Sequence, residues 1–88
     1  GYYGIKTAFK GYLDKELPQA TVAESALIAG LLVAPGRYSP YINPMAAKNR
    51  QRYVLKRMFE NNYITKEQYE AALAENIKLK VRIKTIFK

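Results

Sequence analysis

Arg50, Arg52, Lys56 and Arg57 stand close together with Tyr53 among them, and Arg37, Tyr38 and Tyr41 sit on a stretch bracketed by Pro35 and Pro40. Guanidinium and ammonium groups compensate negative charge, and phenol rings stack on flat or apolar faces, so these residues suit binding more than proton transfer. The chain has no histidine and no cysteine. That removes the commonest general base, the commonest metal ligand and any thiolate nucleophile or disulfide. Acid–base work would fall to carboxylates, of which there are Asp14, Glu16, Glu24, Glu60, Glu67, Glu70 and Glu75.

The charge is uneven. Fifteen Lys and Arg against seven Asp and Glu give a formal net charge of +8 over 88 residues. Lys78, Lys80, Arg82, Lys84 and Lys88 crowd residues 77–88, where no acid is present. A balance of this kind favours an anionic partner such as phosphate, nucleic acid or an acidic lipid surface, and it is equally compatible with a solvated face. A chain of this length forms one domain at most, with a modest core. The longest apolar run, 22–35, is too short for a membrane span, which takes about 20 residues. The opening Gly1-Tyr2-Tyr3-Gly4, without an initiator methionine, suits a piece of a longer chain.

The elements that must position these side chains are read from period and punctuation. Over 3–13, Ile5, Ala8, Phe9 and Tyr12 recur at helical spacing, and Pro18 closes the segment. Thr21 and Glu24 form a capping box ahead of a helix over 22–33 that is apolar nearly all round and needs burial on several sides. Pro35 and Pro40 predict a structured loop, and Asn43-Pro44 predicts the start of a helix over about 44–61 with Ala47, Val54, Leu55, Met58 and Phe59 inward. Its cations are spread around the remaining circumference. Thr65 and Gln68 predict a further short helix that turns Tyr69, Ala72 and Leu73 inward. After Asn76 the period becomes two: Ile77, Leu79, Val81 and Ile83 alternate with Lys78, Lys80, Arg82 and Lys84. That predicts a half-buried strand, and its pairing partner is expected outside this chain.

Gly1-Tyr2-Tyr3-Gly4-Ile5, Thr21-Val22-Ala23-Glu24-Ser25-Ala26-Leu27-Ile28-Ala29-Gly30-Leu31, Ala34-Pro35-Gly36-Arg37-Tyr38-Ser39-Pro40-Tyr41, Arg50-Gln51-Arg52-Tyr53-Val54-Leu55-Lys56-Arg57-Met58 and Asn62-Tyr63-Ile64-Thr65 follow one another in order. Together they resemble the second half of the peptidoglycan glycosyltransferase domain of class A penicillin-binding proteins. The family's last motif, Arg-Arg-x-x-Val-Leu-x-x-Met, falls on Arg50, Gln51, Val54, Leu55 and Met58, with Gln51 replacing the second arginine.

The resemblance implies a mainly helical, lysozyme-like lobe of about four helices with one carboxyl-terminal β-strand. Residues 1–76 would be part of the glycosyltransferase domain, and 77–88 a strand leading toward a linker and transpeptidase domain. It implies an enzyme at the outer face of the bacterial cytoplasmic membrane that polymerises lipid II into glycan strands, with an anionic membrane surface nearby. One glutamate of the family acts as general base and a second assists departure of the pyrophosphate, usually with a divalent metal, Mg or Mn. Those groups belong to motifs on the amino-terminal side, so no catalytic residue and no metal ligand is carried over to this chain. Glu16, Glu24, Glu60, Glu67, Glu70 and Glu75 match none of the motifs, and the isolated chain is expected to be inactive.

Tyr3, Gly4, Arg37, Tyr38 and Arg50 are the candidate substrate contacts that the resemblance leaves. For each a plainer reading is preferred: a packed turn for Tyr3 and Gly4, anchoring of the loop for Arg37 and Tyr38, and a helix tie through backbone carbonyls for Arg50. Glu24, Pro35, Val54, Leu55 and Met58 are expected to serve structure, Glu24 as a cap. Two rivals come from other classes. A basic helical module could bind nucleic acid through Arg50, Arg52, Lys56 and Arg57, although cations around a whole helix and the lack of a helix-turn-helix pattern speak against it. An interaction domain could instead recruit a partner at the edge of its strand.

Overall fold

The structure is a computed structural model that describes residues 2–80, with side chains described from Gly4 onward. Five helices follow in order: α1 (Tyr2–Leu13), α2 (Val22–Val33), α3 (Pro35–Tyr38), α4 (Pro44–Glu60) and α5 (Lys66–Ala74), with a 3₁₀ turn over Leu17–Gln19. The described residues contain no β-strand. The class is mainly α, as the periodicities predict.

Each helix boundary has a local cause. Both capping boxes are formed: the Glu24 N–H donates to the Thr21 hydroxyl oxygen at 3.1 Å, and the Thr21 N–H donates to Glu24 Oε1 at 2.9 Å. The Gln68 N–H and Thr65 repeat the pattern at 3.1 and 2.8 Å. α4 ends where Asn62 adopts φ 62. The Tyr63 N–H then reaches the Met58 carbonyl at 2.9 Å and the Asn62 N–H the Phe59 carbonyl at 3.0 Å, the two bonds of a Schellman motif. α1 ends in the same left-handed way at Asp14, φ 55.

α2 is the central element, and its apolar circumference is explained by two faces of packing. Ile28 and Leu31 join Ala8, Phe9 and Leu13 of α1 in one cluster. Ala23 and Ala26 join Leu55, Ile64 and Ala72 in the other, with Val54, Met58, Phe59 and Tyr69 packed around them. Phe59 and Tyr69 stack with centroids 4.9 Å apart. Gln51, buried at 2% exposure, spans the α2–α4 interface: its Nε2 donates to the Ala23 carbonyl at 2.9 Å. The neutral amide that departs from the family motif therefore closes a buried polar contact without bringing a charge into the core.

Two expectations change. The stretch bracketed by Pro35 and Pro40 contains one helical turn, α3, because Pro35 at its first position has its φ already set and the Arg37 and Tyr38 N–H groups both donate to the Ala34 carbonyl at 2.9 Å. The strand expected over 77–88 begins in residues 77–80, which form no ladder; residues 81–88 lie outside the described residues. Residues 77–80 are laid against the helices of this chain. Ile77 packs on both core clusters and Leu79 on the first. The Lys80 N–H donates to the Tyr12 carbonyl at 2.7 Å, and the Lys80 carbonyl accepts from the Tyr41 hydroxyl. Alternation there marks an extended segment laid over the helices, with its apolar side inward.

Candidate functional site

α3 and the first half of α4 enclose a cleft of about 350 Å³ lined by Arg37, Tyr38, Ala46, Asn49, Arg50 and Tyr53. The helix period makes it: Ala46, Asn49, Arg50 and Tyr53 are spaced three and four apart and share one side of α4. The turn of α3 brings Arg37 and Tyr38 against that side. Asn43 holds the two together, because its Nδ2 donates to the Arg37 carbonyl at 3.2 Å.

Arg50 is the centre of the cleft. Its guanidinium carbon lies 4.8 Å from the Tyr53 ring centroid and 5.7 Å from that of Tyr38, with Arg37 at 5.6 Å from Tyr38. Distances of this size give cation–π attraction. The expected tie to backbone carbonyls is not what the geometry shows: Arg50 Nε is buried without a hydrogen-bond partner. The stem of Arg50 reaches the cleft by lying against α2 at Gly30, where a Cβ would come within 2.7 Å of Arg50 Cγ. Only glycine leaves room for it.

Of the five candidate contacts, Arg37, Tyr38 and Arg50 converge here, whereas Gly4 belongs to the first turn of α1 and does not line the cleft; the Tyr3 side chain lies outside the described residues. Leu55 is fully buried, and Val54 and Met58 are half-buried in the core cluster. Tyr53 and Asn49 are the additions. Tyr53 was legible as three residues after Arg50, but Asn49 gave no signal of its own.

The described carboxylates are engaged elsewhere or exposed on α5. Glu24, 4% exposed, closes its capping box and receives Lys15 Nζ at 2.8 and 2.9 Å. Burial pushes its carboxyl up, but hydrogen bonds from Lys15 and the Thr21 N–H, with the Lys15 charge, outweigh that and hold it below the usual glutamate range. Asp14 and Glu16 pair with Lys10, whose pKa they raise, first through the Asp14 hydrogen bond. Glu60 pairs with Arg57, and Glu75 accepts from the Thr21 hydroxyl at 2.8 Å. Glu67 and Glu70 lie exposed on α5. Among the described residues no three acidic side chains converge as a metal site.

A helical lobe of this shape occurs in the crystal structure of penicillin-binding protein 1A from Haemophilus influenzae, which matches 85% of this chain with a TM-score of 0.81 and 39% sequence identity, over 11% of its own length. A putative transglycosylase of Cupriavidus necator is 42% identical over 80 residues, 91% of this chain and 35% of the relative. Penicillin-binding protein 1A of Pseudomonas aeruginosa is 37% identical over 83 residues, 94% of this chain and 10% of the relative. The chain thus spans only a part of each relative's length. The model of the transglycosylase family matches residues 1–59, and this chain belongs to that family.

Proposed function

We propose that this chain is the carboxyl-side lobe of a peptidoglycan glycosyltransferase domain, one that in its complete form polymerises lipid II into glycan strands. The observation that carries this reading is the family match over 1–59. Transfer of this kind needs a base at the acceptor hydroxyl and charge compensation at the departing pyrophosphate. The lobe's contribution is scaffold: α2 and α4, locked by Leu55 and Gln51, present a rigid surface against which the remaining domain leans. Asp14, Glu16, Glu24 and Glu60 are held in a cap and ion pairs, Glu75 accepts from the Thr21 hydroxyl, and Glu67 and Glu70 are exposed, which supports placing the acid–base pair outside this chain.

In this reading the complete protein works at the outer face of the bacterial cytoplasmic membrane beside a transpeptidase domain. Among the described residues no helix is long and apolar enough to cross a membrane. The divalent metal of the family finds no fitting donor set among the described residues, and no step is derived through it. The test is lipid II polymerisation, followed by separation of the labelled products. This chain alone should give no polymer, and the chain joined to an upstream segment bearing the two glutamate motifs should give glycan strands. Polymer from the chain alone, or none from the folded, joined protein, would overturn the reading.

A further inference from the structure

We propose that the cleft between α3 and the amino-terminal turn of α4 is a phosphate-binding site that takes a phosphoryl group between Arg37 and Arg50.

Charge balance is the first argument. Arg37 and Arg50 both stand over the Tyr38 ring, at 5.6 and 5.7 Å. Two cations on one ring repel each other, and no acid lines the cleft to offset them. The ion pairs among the described residues engage Lys10, Lys15 and Arg57, not these two.

The second argument is the end of α4. Asn43 sits at the cap position but makes no side-chain cap, because its amide is turned to the Arg37 carbonyl. Pro44 has no N–H, so the amides of Met45 and Ala46 begin a helix of 17 residues without a capping acceptor. Ala46 lines the cleft. An uncapped helix start at the positive end of a helix dipole, beside a cleft lined by two guanidiniums, favours an anion there. The third argument is Arg50 Nε, the one buried side-chain nitrogen or oxygen among the described residues that lacks a partner. The Nε–H itself is closed to solvent, so an anion in the cleft would meet the terminal nitrogens of the same guanidinium, which make no ion pair among the described residues.

A phosphoryl group fits better than a carboxylate. Its three or four oxygens can satisfy both guanidinium edges and a helix amide together, whereas two carboxylate oxygens are used up by one arginine fork. The volume of about 350 Å³ leaves room for the group that carries the phosphate. A soluble phosphoester and a lipid headgroup share this chemistry. The proposal stands apart from the polymerisation reading, since binding is measured without turnover.

The test uses the full chain. Amide and arginine Nε–H resonances are followed by NMR during titration with inorganic phosphate, with chloride at matched ionic strength as reference. Sedimentation with phosphatidylglycerol and phosphatidylcholine vesicles runs in parallel. Expected is a saturable shift of Ala46, Asn49 and Arg50 with phosphate, or selective binding to phosphatidylglycerol vesicles; the first points to a soluble phosphoryl source and the second to a lipid one. Arg37→Gln and Arg50→Gln, checked for folding by circular dichroism, should each weaken binding roughly tenfold, as expected for loss of one charged hydrogen-bonding group. Lys78→Gln should leave it unchanged. Equal shifts with chloride, no binding in either arm, full binding by both arginine variants, or loss in the Lys78 variant instead would each overturn the proposal.

Discussion

Replacing Glu24 separates two roles that one side chain performs. Glu24→Gln keeps an amide oxygen for the Thr21 N–H, so the capping box survives, but it removes the charge that receives Lys15 at 2.8 and 2.9 Å. A hydrogen bond to a charged group is worth about 1.5–3 kcal/mol when shielded, and an exposed ion pair about 0.2–1 kcal/mol. Glu24 is buried, whereas the Lys15 side chain is 35% exposed, so screening reduces the first figure and about 1 kcal/mol is expected for Gln. Glu24→Ala also loses the cap, which adds about 1 kcal/mol, and leaves Lys15 without its acceptor, for a total of about 2–3 kcal/mol.

The pH dependence gives the sharper check. Because the folded state holds the Glu24 carboxyl below its ordinary range, its contribution is complete above the unfolded pKa, about 4.3, and is lost as pH falls through the folded value. Urea unfolding followed by circular dichroism, from neutral pH into the acid range, should show the gap between the native chain and Glu24→Gln closing in that window. A gap that stays constant with pH, or a Gln variant as stable as the native chain at neutrality, would refute the account of Lys15 and Glu24.

Leu55→Ala empties a fully buried position between α2, α4 and α5, and should cost about 2–5 kcal/mol in the same unfolding assay. Two glycines should respond with opposite sign. Gly30→Ala drives a methyl against Arg50 Cγ, with the Arg50 Cβ and backbone carbon 3.5 and 3.6 Å away, so a cost of about 1–3 kcal/mol is expected together with weaker phosphate binding. Gly11→Ala meets nothing within 4 Å on α1 and should stabilise by about 0.5–1 kcal/mol; equal effects at the two sites would show that the α2–Arg50 contact is not tight.

The capping boxes at Thr21 and Thr65, the proline start of α4 at Pro44 and the apolar character of α2 were legible because each is a relation between residues a few positions apart. So was the nomination of Arg37, Tyr38 and Arg50. What they do together was not. The Lys15–Glu24 pair, the Arg50 guanidinium over the Tyr38 ring and the Gln51 bond to Ala23 join residues from 9 to 28 positions apart, and no local pattern encodes such meetings. The period of two after Asn76 had the same limit. It showed that Ile77 and Leu79 share an apolar side, but an apolar side is served equally well by a neighbouring strand or by a groove between helices.

By itself, then, the order of amino acids determined where helices begin and end, which faces exclude water, and that neither an imidazole nor a thiol takes part, since these follow from short-range hydrogen bonding and side-chain type. Only tertiary packing decided that Gly4 stays apart from the cleft, that Gly30 makes way for Arg50, and that two positive charges meet over one ring beside an uncapped helix end. Those are consequences of how α2, α3 and α4 cross, and a crossing is set by the fit of whole surfaces rather than by any residue's neighbours in the chain.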